Sequence, residues 1–429
     1  MECDRVQVLA MLAAMLLGAC SSHGSNPNGA TQTPADASAT LGVDGATPEG
    51  GGGALPCNLD TTAAAAAVYK LDPALGLANG AYPGDRQCIA QQDPALGMQF
   101  HYGPTNYDDP KEVAKFVLKP GEEVTDCVFF PTPNADTVYF KEYHSRMRPG
   151  SHHMLLYLQP NMVASGGPSA CNQGAQTRNL FGAQTPNLDT SAIADTSPEN
   201  DGLAIMVAPK QQVAMQAHFI NAGTAPILRE VWANITFVDK AQVKILGDPL
   251  FFISGNTMNI PIGTTTVVTG SATVPANADP NFRVILATGH YHAHTTRFTA
   301  YKTVAGQREK LFEEYGKLDV APEPSNWYFT STAQNAKNDP TTKTPGAYSG
   351  TVYLKPGDKI DWECEVTNND VSSTSPPPFN APSIRFNNAV YSAEMCNMFG
   401  LYAPSLKPST GCPWFGGDVN LINPNNTCP

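Results

Sequence analysis

The chain has 429 residues, of which 41% are hydrophobic and only 15% are charged, and its formal net charge is −12. The apolar fraction is sufficient for one or two sizeable cores, so disorder of the whole chain is excluded. The acidic balance, without any run of Lys or Arg, excludes an electrostatic surface for nucleic acid. The 36 glycines and 37 prolines favour many turns and short strands over long helices.

The first 20 residues predict an export signal rather than part of the fold. The apolar stretch from Val6 to Ala19 is shorter than the about 20 residues that a membrane-spanning helix needs. It ends in Leu-Gly-Ala-Cys20, which resembles the bacterial lipobox, so Cys20 is the expected lipidation site. An ordinary cleaved signal peptide with a chance cysteine is the alternative. Residues 21–56 are rich in Gly, Ala, Thr and Pro and predict a flexible tether. We therefore expect an exported protein, anchored by lipid at the outer-membrane or periplasmic face or at the cell surface.

Beyond the tether, the sequence predicts an all-β protein. Short runs rich in β-branched and aromatic residues alternate with Pro-Gly turns, a pattern typical of β-sandwiches and barrels. Helix is scarce, and residues 307–315 are the best short candidate. The phrase Leu-Lys-Pro-Gly occurs at Leu118 and again at Leu354, each time ahead of a strand that carries a cysteine. This repeat indicates two similar tandem β domains, which we place at residues 57–245 and 246–429.

The cysteine content agrees with export. Of ten cysteines, eight follow residue 20, and no Cys-x-x-Cys motif occurs. An even number of widely spaced cysteines in an exported chain predicts disulfides, with unpaired core cysteines as the alternative. Without Cys-x-x-Cys, a zinc ribbon or a thioredoxin-type site is unsupported.

The histidines indicate a metal site. Six of the nine occur in three groups: His152-His153, His218, and His290-Tyr-His292-Ala-His294. On a strand, residues 290, 292 and 294 would project from one face, and a His-x-His pair can offer two imidazoles to one metal. A single histidine would more often be a core or surface residue, but three groups in β-rich segments favour a metal.

The identity of the metal follows by elimination. No Glu follows the His-x-His motif at the spacing of a cupin, and such pairs occur in only one segment, residues 290–294, whereas multicopper oxidases need several. No carboxylate flanks the three histidine groups in the sequence, which disfavours a non-haem iron triad. Imidazoles and methionine thioethers remain, and these ligands suit copper.

Four motifs together resemble a known family. Ser151-His-His-Met-Leu-Leu-Tyr, Gln216-Ala-His218, His292-Ala-His294 and Glu394-Met-Cys-Asn are similar, in order, to motifs of the copper type II, ascorbate-dependent monooxygenases. The resemblance covers about residues 118–400. It implies two jelly-roll-like antiparallel β-sandwich domains, each with one copper, that face each other across a solvent cleft.

The resemblance also assigns ligands and disulfides. It implies that the electron-transfer copper (CuH) is held by three histidines, that the oxygen-binding, catalytic copper (CuM) is held by two histidines and a methionine, and that four cysteines pair. The assigned residues are His152, His153 and His218 for CuH; His292, His294 and Met395 for CuM; and the pairs Cys127–Cys171 and Cys364–Cys396. Elimination then leaves Cys57–Cys88 and Cys412–Cys428.

We therefore expect a monooxygenase that hydroxylates a C–H bond of an organic substrate with O₂ and an external reductant such as ascorbate. Two coppers account for the two electrons that the reaction requires, because each supplies one. The expected partners are the small substrate, O₂ and the reductant; nucleic acid is excluded, and the membrane is contacted only through the lipid anchor. The alternative is a copper-binding or electron-relay lipoprotein without hydroxylase activity.

The sequence differs from the peptide-hydroxylating member of the family at the residues that bind the substrate. That enzyme clamps a carboxylate with an arginine and a tyrosine, and His290 and Phe399 stand in their places here. Neither can form a bidentate, charge-assisted clamp, so we do not expect a glycine-extended peptide as substrate. Asn397 is retained. Gln216 either supports the CuH ligands or is an ordinary strand amide, and His290 is a substrate contact, a proton donor, an additional ligand or a packed strand residue.

Overall fold

The structure, a computed structural model, describes most of the chain after residue 92. The described residues are 93–106, 109–132, 134–148, 150–159, 166–171, 178–184, 187–190, 197–255, 257–316, 327–329, 346–347, 350–368, 383–385, 393–408 and 413–417. All of them belong to one compact unit that runs from Leu55 to Pro429. The predicted signal peptide, Cys20, the tether and the pairs Cys57–Cys88 and Cys412–Cys428 lie outside the described residues. None of the helices in the described part is long and apolar enough to cross a bilayer.

Strands dominate the described residues, which confirms the prediction of an all-β protein. The only α-helix in this part is α1 (Pro110–Val113), and the 3₁₀ segments are Ala114–Phe116, Pro198–Asn200 and Lys240–Gln242. The strands are β1 (Gly97–Tyr102), β2 (Val117–Leu118), β3 (Glu123–Pro131), β4 (Val138–Met147), β5 (Ser151–Gln159), β6 (Gly166–Ser169), β7 (Arg178–Ala183), β8 (Asn187–Thr190), β9 (Leu203–Val207), β10 (Gln212–Ile220), β11 (Ile227–Leu228), β12 (Val231–Val238), β13 (Ile245–Leu246), β14 (Asp248–Ile253), β15 (Asn259–Pro261), β16 (Thr264–Thr273), β17 (Arg283–Tyr291), β18 (Thr295–Val304), β19 (Gln307–Tyr315), β20 (Trp327–Tyr328), β21 (Gly346–Ala347), β22 (Val352–Tyr353), β23 (Lys359–Asn368), β24 (Ser383–Arg385), β25 (Cys396–Ala403) and β26 (Trp414–Gly417).

Strands β1 to β13 form the first half of the fold. One sheet has the order β1-β12-β4-β9-β13 with β8 added to β4, a second has the order β6-β3-β10-β5-β7, and β2 pairs with β11. Side chains from both sheets join one hydrophobic core, in which Phe140 and Phe181 meet edge to face. Strand β10 is central in its sheet and is buried along nearly its whole length, so the polar side chains it carries are held away from water.

Strands β14 to β26 form the second half. Its larger sheets have the orders β20-β17-β25-β14-β26, with β22 added to β17, and β16-β23-β18-β19-β21, while β15 pairs with β24. A second hydrophobic core includes Phe252 stacked on the buried Trp362, with ring centroids 5.2 Å apart. The domain boundary at residues 245/246 and the pairing of the sheets into two sandwiches stay predictions.

The two halves pack directly against each other. Leu286 of β17 and Leu401 of β25 belong to the hydrophobic core of the first half. Nearby, the Arg283 guanidinium donates to Asn200 Oδ1 at 3.0 Å, which adds a buried polar contact between the halves. This packing determines how close the histidine groups of the two halves come.

The helix predicted at residues 307–315 is wrong, because the same residues form β19. Val304 of β18 pairs with Gln307 of β19, and the two residues between them, Ala305 and Gly306, have φ angles of 48° and 79°. Two positive φ angles are typical of the tight type I′ hairpin turn. The Glu, Lys and Arg residues of β19 favour a helix locally, but pairing with β18 overrides that propensity.

Both disulfides implied by the resemblance are confirmed. Cys127 of β3 is bonded to Cys171, and Cys364 of β23 is bonded to Cys396 of β25. They close loops of 44 and 32 residues, for which the chain-entropy account gives about 3–4 kcal/mol each.

Candidate metal centre

The first histidine group is positioned by a β-bulge. His218 of β10 lies opposite His153 of β5, but the next residue, Phe219, lies opposite Ser151, which leaves His152 as an extra residue. In a regular strand, His152 and His153 would point to opposite faces; a bulge re-aims one of them. As a result, all three rings lie together, with centroids 5.1 Å apart in every pair.

Each of these imidazoles has a buried nitrogen aimed at no protein partner. His152 Nε2, His153 Nδ1 and His218 Nδ1 are buried and have no hydrogen-bond partner among the described residues. Buried polar atoms are nearly always paired. The ligand atoms of the three rings lie within 4.8 Å of one another. Imidazole nitrogens suit zinc, copper, iron and nickel, so copper is among the metals that this donor set fits.

The other sides of two of these rings are held by the protein. The Glu123 carboxylate accepts a hydrogen bond from His218 Nε2–H at 2.8 Å, and Gln216 accepts one from the His153 ring. An acceptor on one ring nitrogen fixes the tautomer and leaves the lone pair on the other. Glu123 therefore orients Nδ1 of His218 toward its two neighbours.

The second histidine group does not lie on one strand face, which corrects that prediction. Only His290 is on β17, whereas His292 and His294 lie in the turn before β18. The reason is a buried carboxyl group: Glu394 accepts hydrogen bonds from the backbone N–H groups of His292, of His294 at 3.1 Å and of Met395 at 2.8 Å. The chain curls around this carboxylate instead of extending. Burial raises the pKa of Glu394 to about 8, although the three backbone donors act in the opposite direction.

Met395 and His292 both donate a backbone N–H to Oε1 of Glu394, which brings the two residues together. Met395 is buried, and its Sδ accepts from Asn397 Nδ2 at 3.4 Å. Asn397 itself is opposite His290 in the β17–β25 register. The ring of His294 is buried but belongs to neither group of three imidazoles that could share a metal ion.

The two histidine groups meet, which differs from the expected arrangement across a solvent cleft. The ring of His152 lies 5.3 Å from that of His292 and 5.6 Å from that of His290, and His153 lies 5.0 Å from His290. All these rings are buried. The physical reason is the apolar packing of β17 and β25 against the first half, which brings their ends against β5.

The electrostatics of the cluster favour neutral imidazoles. Burial lowers the pKa of His152, His218 and His290 well below its usual value, and the neighbouring imidazoles lower it further. Burial also lowers the pKa of His153 to about 4, although the hydrogen bond that its ring donates to Gln216 acts in the opposite direction. The neutral form is the one that binds a metal.

An apolar pocket of about 70 Å³ lies next to the cluster. The ring of Phe399, 5.0 Å from that of His290, forms part of its wall, and Gln184 and Thr288 supply polar groups. Its lining residues are Tyr143, Leu155, Leu180, Phe181, Gly182, Gln184, Ile205, Pro249, Leu250, Phe251, Leu286, Thr288, Phe399, Gly400 and Leu401. Both halves of the fold contribute to it, and most of its wall is apolar.

Three residues of the site were missed by the sequence-based predictions: Glu123, Gln184 and Glu394. Glu394 adjoins Met395 in the fourth motif, so its position was a usable signal. Glu123 and Gln184 lie 95 and 106 residues away from the histidines they bind, and no local pattern marks them. No carboxyl group flanks the histidines in the sequence, but Glu123 and Glu394 contact them in the folded protein.

Comparisons with known proteins add little to this geometry. No protein-family model and no curated protein matches the chain. Among solved structures, the chain is similar to a protein from Eubacterium rectale that is provisionally described as secreted, at 8% sequence identity and a TM-score of 0.18. The match covers 71% of this chain and 73% of that chain. A likeness this weak carries no argument about function.

Proposed function

We propose that this protein is a copper-dependent monooxygenase that hydroxylates a C–H bond of an organic substrate. The observation that supports the proposal most is the set of buried, unpartnered ring nitrogens of His152, His153 and His218, a donor set that suits copper. In the reaction, one atom of O₂ enters the product and the other leaves as water. The two additional electrons come from an external one-electron donor such as ascorbate.

Two ligand sets are proposed, each for one copper. His152, His153 and His218 would hold CuH, and His292, His294 and Met395 would hold CuM. Copper supplies one-electron transfer at the first set and reduction of O₂ at the second, where a weak thioether ligand favours the reduced ion.

The residues around the ligands have definite tasks in this proposal. Glu123 orients His218, and Gln216 supports His153 through its hydrogen bond. Glu394 holds the turn that presents His292 by accepting its backbone N–H. Burial keeps the imidazoles neutral and excludes bulk water from the reacting region.

The substrate proposed is apolar at its reacting end. The pocket beside His290 has a mainly apolar wall, including Phe399 and Phe251, whose rings stack at 4.6 Å. Desolvating an apolar group there is favourable, whereas a carboxylate would be buried without a cationic partner. The pocket thus supports the expectation that a glycine-extended peptide is not the substrate.

We also propose that the protein is exported and anchored through Cys20. The two disulfides support export, since such bonds persist in oxidising compartments. Cys20→Ser should abolish labelling by a lipid precursor and release the protein from membranes. Unchanged labelling and membrane retention of this variant would refute the anchor.

The decisive experiment uses Met395→Ile, which removes the sulfur and roughly preserves size. We expect copper at His152, His153 and His218 to be retained, while ascorbate-driven, substrate-dependent O₂ consumption falls by orders of magnitude. His152→Ala should also stop turnover, because it interrupts electron delivery. A copper carrier would show no substrate-dependent O₂ uptake in the wild type. Turnover near the wild-type rate in Met395→Ile would contradict oxygen activation at this set.

A further inference from the structure

His290 belongs to neither of the two proposed copper sets, yet it lies in the centre of the cluster. Its ring is buried, and its centroid lies 5.0 Å from that of His153, 5.6 Å from that of His152 and 5.7 Å from that of His292. It is therefore in contact with imidazoles from both halves of the fold.

The orientation of the His290 ring is fixed by Gln184 of the first half. The Gln184 amide nitrogen donates to the Gly289 carbonyl at 3.1 Å. Because that carbonyl can only accept, the amide oxygen must be the atom that faces His290 Nδ1, at 2.7 Å. Nδ1 therefore carries the proton and donates it, and Nε2 keeps its lone pair.

This is the arrangement of a metal-ligating histidine, whose outer N–H is normally held by a protein acceptor. His292 shows the same arrangement, since its Nδ1 faces the Ala393 carbonyl at 3.4 Å. Gln184 is a partner for Nδ1 of His290 alone, and the rest of the ring meets the imidazoles of His152, His153 and His292. The ligand atoms of His152, His290 and His292 lie within 4.8 Å of one another.

We propose that His290 is a metal ligand and that His152, His290 and His292 form a three-imidazole site that joins the two halves of the fold. The inference rests on the proposed function in that it places copper in the cluster, and it adds a ligand to the copper at His292. A neutral His152 has one lone pair, so it can ligate the copper of only one set at a time and lies at the junction between the two sets. A metal bound there cross-links β5 of the first half to β17 and the turn that follows it.

The test is a titration of the full-length chain with Cu(II) alone, against a competing chelator, combined with X-ray absorption to count imidazole ligands. His290→Gln should weaken one of the two copper equivalents at least tenfold and lower the imidazole count at that copper. Gln184→Ala keeps His290 but removes its acceptor, and loss of such support typically costs about 10- to 100-fold in affinity. His144→Gln, on β4 and outside both groups of imidazoles, should bind as the wild type does.

Each outcome decides the matter. Wild-type affinity and imidazole count in both His290→Gln and Gln184→Ala would overturn the cross-half site and leave the proposed function standing. If His290→Gln does not fold, the copper affinity of Gln184→Ala is the deciding measurement. An affinity of Gln184→Ala equal to that of the wild type would overturn the inference. A wild-type chain that binds no copper would overturn both the inference and the proposed function.

Discussion

The two copper sets proposed here are built by different means. His152, His153 and His218 are placed by backbone pairing, because β5 and β10 are neighbours and one bulge turns two adjacent residues to the same side. His292 and Met395 are placed by a side chain, since the Glu394 carboxylate collects their backbone N–H groups. Single substitutions around the first set should therefore weaken it without abolishing it, whereas the second set depends on one buried carboxyl group.

The largest effect is expected for Glu394→Ala. The change leaves three buried N–H groups without their acceptor, at a cost of roughly 1–3 kcal/mol each, so the free energy of unfolding should fall by about 3–9 kcal/mol. Copper at the His292 set should be lost, while copper at the His153 set remains. Denaturant unfolding and metal analysis measure both effects.

The matched control for this change is Glu309→Ala. Glu309 pairs with Lys302 at the surface, and exposed pairs contribute about 0–1 kcal/mol. Equal losses of stability in the two variants would show that the Glu394 carboxylate does not organise the turn.

Acid should destabilise the metal-free protein through the first set. In the unfolded chain, a histidine takes up a proton near pH 6.5, whereas burial lowers the pKa of folded His153 to about 4. The stability contributed by the neutral ring is fully present above pH 6.5 and is lost as pH falls toward 4. For His153 alone, this amounts to about 3 kcal/mol, and His152 and His218 shift in the same direction.

Urea unfolding at pH 7 and pH 4.5 checks this sign. Bound copper competes with protons for the same nitrogens, so the copper-loaded protein should retain its stability to lower pH than the metal-free protein. A metal-free protein that is equally stable at both values would contradict the burial of neutral imidazoles.

A smaller effect is expected at the outer side of the first set. Glu123→Gln weakens the acceptor that orients His218, which should lower copper affinity at this set by about tenfold and leave the second set unchanged. The neighbouring Glu122→Gln is the control, since the Glu122 carboxylate accepts from the backbone N–H of the exposed Lys119 and does not contact the histidines among the contacts described. Chelator competition measures the copper affinity of each variant. Identical affinities in the two variants would show that Glu123 does not support the first set.

The sequence predicted the parts of the molecule that depend on local patterns. Runs of β-branched and aromatic residues between Pro-Gly turns predicted the all-β fold, and the family resemblance implied the pairs Cys127–Cys171 and Cys364–Cys396. The helix predicted at residues 307–315 is wrong because the two-residue turn at Ala305 and Gly306 pairs this segment with β18, which overrides its helix propensity.

Long-range features of the site had no signal in the sequence. The bulge at His152 arises from the register between β5 and β10, and the acceptor of His290, Gln184, comes from a strand end 106 residues away. The closeness of the two histidine groups follows from apolar packing between the halves, which strand patterns do not encode. The two-residue alternation of a strand, on which the prediction for residues 290, 292 and 294 was based, also could not show that His292 and His294 lie in a turn around Glu394.

The most direct test of the central claim is the number of copper ions bound per chain in the wild type and in His153→Ala. Two separately built sets predict two coppers in the wild type and one in the variant, because the set organised by Glu394 does not depend on His153. A wild type that binds a single copper, or a His153→Ala chain that loses both together, would contradict the account.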